Sequence, residues 1–189
     1  MSKEYIYGTV IERQKGGPTG LEFLNGIFNV TSGLMLSQVR EITGIDSSAL
    51  QNWINRGWVS RPVNKKYNID QVSRIIIINV LRNTMKLENI DFLLHYINGN
   101  LYCRDDDIIC ESQLFDYICK IIDKLKNQVK DFNSEKIIED CIGEVICEYK
   151  EIIPGAKKRL TFALKIIINS YIAVFYKKKA EEMLSEIKN

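Results

Sequence analysis

The sequence predicts a mainly α-helical protein, and three features of its apolar pattern predict this fold class. Residues 36–42 and 49–54 carry apolar side chains at helical spacing and are joined by Thr43 and Gly44. Residues 58–67 alternate instead, which predicts a small β-hairpin. Beyond residue 110, three stretches repeat apolar residues at steps of three and four, which is typical of a helical bundle.

The composition is that of a folded globular protein, with 46% hydrophobic and 26% charged residues. The net charge is only +2, but it is unevenly distributed. Lys and Arg outnumber Asp and Glu by 8 to 5 in residues 34–99 and by 8 to 3 in residues 154–189, and are outnumbered by 7 to 13 in residues 100–153. Two basic segments therefore flank an acidic one.

Three segments are expected along the chain: an N-terminal arm and docking segment (1–33), a compact domain (34–99) and a C-terminal helical domain (100–189). In the first segment, residues 5–11 predict a strand or an arm, and residues 21–28 predict a short helix docked on the core. The glycines of residues 16–20 lack the Gly-Lys-Ser/Thr sequence of a phosphate-binding loop and therefore predict a flexible linker.

The second segment begins with two short helices. Leu36, Val39 and Ile42 share one helical face, and Gly44 supplies a helix stop. Asp46 is a good N-cap for the next helix, at residues 47–56. Its buried stripe is expected to be Ala49, Leu50, Trp53 and Ile54.

The outward face of this second helix is polar but uncharged, and a short basic region follows it. No acidic residue lies between Asp46 and Asp70. Because amide side chains can pair with adenine and cations with phosphates, this surface suits a polyanion whose edges can be read. The outward residues are Ser47, Ser48, Gln51, Asn52 and Asn55, and the cations are Arg56, Arg61, Lys65 and Lys66.

In the predicted hairpin of residues 58–67, Pro62 is expected to set the bend and Lys65 and Lys66 to lie near the tip. Asn68 and Gln71 have the spacing of a capping box, which predicts a helix from residue 69 to about 83 despite its run of four isoleucines. A further helix is expected at residues 87–97.

The C-terminal segment predicts three helices that form a bundle within one chain or across a dimer. The first stripe includes Val129, and the third helix follows Pro154 and Gly155. The apolar run at residues 160–176 contains Lys165, Asn169 and Ser170 and falls short of the ~20 apolar residues of a membrane span. A buried helix is the preferred interpretation.

Nothing in the sequence predicts an enzyme, a cofactor or a metal site. The five cysteines include no CxxC pair and the chain has one histidine, His95, without a nucleophile to serve. Reduced thiols in a cytoplasmic protein are expected. Cys119, Cys141 and Cys147, which lie on or beside the helical stripes, are expected to pack as small apolar residues.

The order of helix, turn, helix, hairpin and apolar helix resembles the MerR-like winged helix-turn-helix domain over about residues 34–98. The matching positions are Leu36, Val39, Ile42, Thr43, Gly44, Ile45, Leu50, Gly57, Lys65, Tyr67 and Val72. More closely, Gly57-Trp58-Val59 followed by Pro62-Val63-Asn64-Lys65-Lys66-Tyr67 is similar to the bacterial family catalogued as domain of unknown function eighteen-thirty-six.

The resemblance implies a MerR-like fold without an established activity. In MerR-like proteins the second helix typically brings arginines and a tyrosine to the duplex, and the aligned positions here are Ser48, Gln51 and Asn52. The arginine and tyrosine of the wing correspond to Lys65 and Tyr67.

The function expected from these observations is sequence-specific binding of double-stranded DNA by a homodimeric transcriptional regulator. Helix 47–56 would read the major groove and wing 58–67 would contact phosphates. The alternative is a degenerate helix-turn-helix scaffold that acts through protein contacts. The expected DNA-binding residues are Ser47, Ser48, Gln51, Asn52, Asn55, Arg56, Arg61, Lys65, Lys66 and Tyr67. No small-molecule effector is indicated.

Overall fold

The computed structural model of the protein describes residues 4–99, 101, 103–128 and 134–188. This part of the chain is mainly helical, with eight helices and two sheets of two strands each. In chain order the elements are β1 (Glu4–Tyr5), β2 (Glu12–Arg13), α1 (Gly20–Phe28), β3 (Leu34–Met35), α2 (Leu36–Thr43), α3 (Ser47–Asn55), β4 (Lys66–Tyr67), α4 (Ile69–Leu81), α5 (Leu87–Asn98), α6 (Glu111–Gln128), α7 (Glu135–Val145) and α8 (Ala156–Lys188).

Helix α4 forms the centre of the fold, with eight consecutive buried residues, 71–78. The capping box predicted from the sequence begins it: Asn68 Oδ1 accepts from the Gln71 N–H and Gln71 Oε1 accepts from the Asn68 N–H, each at 2.9 Å. Since α4 packs against both α6 and α8, its four isoleucines are covered all round. A helix whose apolar residues extend around its circumference is stable when neighbouring helices bury it in this way.

One hydrophobic core runs through all three segments expected from the sequence. Helix α1 packs on α6, and Leu24 on α1 and Phe115 on α6 are fully buried. Helix α5 packs on α8, whose Leu164 is likewise fully buried. The N-terminal segment and the C-terminal helices therefore hold the middle of the chain from both sides.

The helices predicted for the C-terminal segment are present as α6, α7 and α8. Leu160, Leu164 and Ile167 form a buried stripe on α8, as predicted, whereas Val129 lies outside the described residues. Helix α8 is long and apolar enough to cross a membrane by length and composition, a test that core helices of soluble proteins also pass.

The cysteines differ in their surroundings. Cys119 and Cys141 are buried among apolar side chains, and burial raises the pKa of the Cys119 thiol to about 12. The prediction of a packing role is wrong for Cys147, which is exposed because it lies in the turn just after α7 rather than on the stripe of that helix.

Residues 58–67 do not form the predicted two-stranded hairpin, because their one strand, β4, pairs with a strand from outside this segment. Strand β4 pairs antiparallel with β3, with Leu34 opposite Tyr67 and Met35 opposite Lys66. The only pairing within the hairpin is an isolated bridge between Val63 and Lys66. The strand that pairs with the wing, β3, thus lies more than 30 positions earlier in the chain.

The bend of the hairpin lies at Asn64 and Lys65 rather than at Pro62. Both residues have positive φ angles, 51° and 63°. Two consecutive residues of positive φ form the tight turn that matches the twist of antiparallel strands, and asparagine tolerates this conformation well. This geometry carries the two lysines to the end of the wing.

Candidate nucleic-acid interface

Helix α3 carries the polar face predicted from the sequence. Its buried side is anchored by Leu50, Trp53 and Ile54, so the opposite side faces solvent. Gln51 Nε2 donates to Asn55 Oδ1 at 3.1 Å, one helical turn away. The exposed side chains on this face are Ser48, Gln51, Asn52 and Asn55, and Ser47 is half-buried.

The start of α3 carries a negative charge. Asp46 is the N-cap, as predicted, and its Oδ1 accepts from the Ala49 N–H at 2.8 Å and from the Ser48 hydroxyl at 2.5 Å. These hydrogen bonds, that of Ser48 first, hold the pKa of Asp46 below its usual value. The Ser48 hydroxyl is therefore already used as a donor when the surface is free.

Arg56, at the end of α3, does not stand alone. Its guanidinium lies 5.1 Å from the centre of the Trp58 ring, and its Nη1 lies 3.5 Å from Oε1 of Glu88 on α5. The basic region contains no acidic residue in sequence, but the fold brings this carboxylate to it. The absence of acidic residues between Asp46 and Asp70 therefore does not leave Arg56 without a carboxylate partner.

The tip of the wing is exposed. Asn64, Lys65 and Lys66 all face solvent, and Lys66 Nζ lies 3.2 Å from the hydroxyl of Ser32. The pairing of β3 with β4 brings residues 31–33 beside the wing. Sequence reasoning missed Ser32, because nothing local to it indicates that the chain returns to this place.

Gly33 allows this close approach. A Cβ atom at Gly33 would lie 2.9 Å from Cβ of Lys66 and 3.0 Å from the carbonyl oxygen of Tyr67. A side chain at this position would push β3 away from the wing.

The base of the wing is fixed to α4. Gln71 Nε2 lies 2.9 Å from the Ser60 hydroxyl and 3.0 Å from the carbonyl oxygen of Arg61. The Arg61 side chain itself is exposed. Tyr67 is only 3% exposed, and burial raises the pKa of its hydroxyl. Its ring therefore supports the wing from the core side. Of the other nine residues predicted to bind DNA, Ser47 is half-buried and the rest are exposed.

One further cation adjoins α3. The guanidinium of Arg82, at the end of α4, lies 5.8 Å from the centre of the Trp53 ring, and Arg82 is exposed. Within the described part of the chain, no group of three or more His, Cys, Asp or Glu residues is placed to hold a metal ion. Two surface clefts in the described part of the chain are lined by residues that fall between positions 104 and 152, and none of these lining residues belongs to α3 or the wing.

The surface of α3 and the wing lies inside the part of the chain that a family profile matches. The profile of the family described as Domain of unknown function (DUF1836) matches residues 23–118, which is 96 of the 189 residues. The chain belongs to this family. It is also similar to the uncharacterized protein YkrK of Bacillus subtilis (strain 168), with 22% identity over 160 residues that cover 80% of this chain and 69% of the relative. No solved structure matches the chain.

Proposed function

We propose that this protein binds double-stranded DNA in a sequence-specific manner and regulates transcription, using α2 and α3 as a MerR-like helix-turn-helix and residues 58–67 as its wing. The observation that carries the proposal is the joint exposure of the amide face of α3 and of the lysine-tipped turn. Asn52 and Lys65, on which this surface depends, are both exposed. Neither is covered by the C-terminal helices.

The side chains suit two kinds of contact. Asn and Gln can form two hydrogen bonds with the major-groove edge of adenine, so Gln51 and Asn52 are the proposed base-reading residues. Lys65, Lys66 and Arg61 are exposed cations without a carboxylate partner among the described contacts, and they are the proposed phosphate contacts. The phosphate contacts would set the register in which α3 enters the groove.

The proposed binding unit is a homodimer with a second copy of this chain. The last part of α8 exposes Met183, Leu184 and Ile187, which are 59%, 51% and 83% exposed. Residues 173, 176, 180, 183 and 187 repeat at steps of three and four, the spacing of a coiled-coil seam. Three lysines at 177–179 precede glutamates at 181, 182 and 186, so two antiparallel copies would place opposite charges together.

The test is selection of bound sequences from random duplexes by purified protein, followed by affinity measurements over a range of salt. If Arg56, Arg61, Lys65 and Lys66 each neutralise one phosphate, the slope of log K against log salt is about −4 per protomer. A consensus sequence with a slope of this size supports the proposal. A slope near zero, or no enriched sequence, overturns it.

A charge-reversal pair gives the matched control. Lys65→Glu/Lys66→Glu should weaken DNA binding at least ~10-fold, because it removes two phosphate contacts and adds repulsion. Lys157→Glu/Lys158→Glu makes the same charge change at two adjacent exposed lysines at the start of α8 and should have less than ~3-fold effect. Equal losses in the two variants would show non-specific charge attraction only.

A second candidate function is a degenerate helix-turn-helix that acts as a protein interaction module. Two observations favour it: Arg56 is paired with Glu88, and the aligned positions Ser48, Gln51 and Asn52 carry no arginine. Both reduce the electrostatic attraction between α3 and DNA phosphates. Under this alternative, Lys65→Glu/Lys66→Glu leaves partner binding intact, and the wild-type protein shows no enriched duplex sequence.

A further inference from the structure

We infer that the N-terminal hairpin, residues 4–13, is a positioning element that holds the turn between α2 and α3 and is itself anchored on Asp123 of α6. The hairpin contributes nothing to the candidate surface described above, but it contacts the helix pair that presents that surface. The inference rests on the proposed function only in its DNA readout.

The anchor is a partly buried ion pair between distant parts of the chain. Arg13 Nη2 lies 2.5 Å from Asp123 Oδ1 and Arg13 Nη1 lies 3.2 Å from Asp123 Oδ2, so the guanidinium and the carboxylate form a bidentate pair. The Arg13 side chain is only 4% exposed. The Tyr7 hydroxyl donates to the same carboxylate at 2.5 Å. Burial, and then Asp123, raise the pKa of Tyr7, so it remains a hydrogen-bond donor.

A second set of contacts holds the same end of the hairpin. Glu4 accepts from Arg13 at 3.2 Å and from Lys126 of α6 at 3.1 Å. Lys126 Nζ also lies 4.8 Å from the centre of the Tyr7 ring. The Tyr7 and Tyr171 rings meet edge to face at 5.5 Å, which adds α8 to the anchor. Two C-terminal helices therefore hold this end.

The tip of the hairpin completes the C-terminal end of α2. The Val10 N–H donates to the carbonyl of Ile42 at 2.9 Å. Asn79 Nδ2, from α4, donates to the carbonyl of Gly8 at 2.8 Å and to that of Thr43 at 3.0 Å. The last carbonyls of a helix have no partner within it and must be satisfied from outside. Here the N-terminal hairpin and α4 satisfy them.

The tip of the hairpin also packs closely against α4 and the turn between α2 and α3. Gly8 has a φ of 72°, and a Cβ atom there would lie 2.7 Å from Val80 and 2.8 Å from Ile76 of α4. A Cβ atom at Gly44, the residue that ends α2, would lie 2.8 Å from the Val10 side chain. Hairpin, α4 and turn therefore touch one another directly, and a movement of the hairpin must move the turn.

These contacts form a physical route from α6 to the proposed reading helix. If Asp123 releases Arg13 and Tyr7, the hairpin loses its anchor while the α3 surface and the wing keep every charge. The carbonyls of Ile42 and Thr43 would then be held less firmly, and the angle between α2 and α3 would be less well defined. The expected result is a selective loosening of the turn rather than global unfolding.

Hydrogen exchange of the free full-length protein provides the primary test. Asp123→Asn keeps the shape of the side chain but removes its charge, and amides of residues 42–46 should exchange about tenfold faster. Amides of α7, which packs on α6 and α8, should exchange faster only by the factor that any loss of global stability accounts for. Lys124→Ala is the matched control, because it removes an exposed 2.6 Å ion pair with Glu144 from the next position of the same helix.

DNA binding provides the second readout. Asp123→Asn should weaken binding to the selected duplex several-fold with an unchanged salt slope, since no phosphate contact is removed. Exchange at residues 42–46 that rises only in parallel with α7, or that rises equally in Lys124→Ala, overturns the inference. If the wild-type protein binds no duplex, the proposed function fails and the exchange experiment still decides the role of the hairpin.

Discussion

Arg74 on α4 and Glu111 on α6 form an ion pair inside the protein, with 3.5 Å between Nη1 and Oε1 and side chains only 4% and 5% exposed. Arg74 Nε also donates to the carbonyl of Trp58 at 2.6 Å, at the start of the wing segment. Burial lowers the pKa of Arg74, which the nearby Glu111 and Asp91 carboxylates oppose. One guanidinium thus connects the wing, the central helix and the C-terminal bundle.

Replacing Arg74 should therefore destabilise the whole protein. Arg74→Met leaves the buried Glu111 carboxylate without its main partner, and such a loss costs about 3 kcal/mol. Urea denaturation should give this decrease in the free energy of unfolding, and Arg74→Met/Glu111→Leu should recover most of it. A single variant within about 0.5 kcal/mol of the wild type would contradict a structural role for the pair.

If Arg56 contacts a phosphate as proposed, Glu88 is expected to weaken that contact by holding the guanidinium. Because the pair is exposed, Glu88→Gln should change the free energy of unfolding by less than about 0.5 kcal/mol. It should nevertheless strengthen DNA binding a few-fold, since Arg56 no longer has to leave a carboxylate. Affinity measured at several salt concentrations checks this, and an unchanged affinity would mean that Arg56 contacts no phosphate.

The amides of α3 should determine which sequence is selected. Under the proposed function, Asn52→Ala removes up to two hydrogen bonds to a base, so discrimination at one position of the site should fall by about 1–3 kcal/mol. Because Asn52 is exposed, stability should hardly change. Repeating the duplex selection with the variant measures the effect. An identical consensus would show that another residue reads that position.

The charges at the end of α8 should determine whether two copies of the chain form a dimer. A chain carrying Lys→Glu at 177–179 and a chain carrying Glu→Lys at 181, 182 and 186 should each be monomeric, because like charges then meet in an antiparallel pair. Mixed in equal amounts, they should form a heterodimer. Light scattering of each chain and of the mixture distinguishes these states. A dimer of either chain alone would exclude the antiparallel interface.

The stability of the protein should fall as the pH rises through the range in which Asp107 ionises. Burial, and then the nearby Glu111, raise the pKa of Asp107 to about 6. Between pH ~4 and 6 the folded state therefore binds a proton that an unfolded carboxyl of pKa ~3.9 has lost. The contribution of Asp107 to the free energy of unfolding is thus greatest below pH ~4 and declines towards pH 6.

Asp107→Asn should remove this decline. The variant should gain on the order of 1 kcal/mol at pH 7 relative to the wild type, or about 2–4 °C in the melting temperature. Melting curves from pH 4 to 7.5 for both proteins test the sign and the range. A variant that retains the pH dependence of the wild type would assign it to another carboxyl.

Most of the helices could be predicted because their signals are local. Asp46 and Asn68 cap the helices that follow them, and each acts on a backbone N–H three residues away. The exposed amide face of α3 follows from helical periodicity in the same way. The placement of Glu88 beside Arg56 could not be predicted, because the two residues are 32 positions apart and helix α4 lies between them in the chain.

The sequence by itself determined the helices, their caps and the polar surface of α3, since hydrogen bonds and apolar spacing within a few residues decide these features. Only the tertiary structure decided that β3 closes the wing, that Tyr67 supports it from the core, and that Asp123 anchors the N-terminal hairpin. These contacts join residues tens to more than a hundred positions apart. Their partners are selected by the packing of the shared core, for which no local pattern exists.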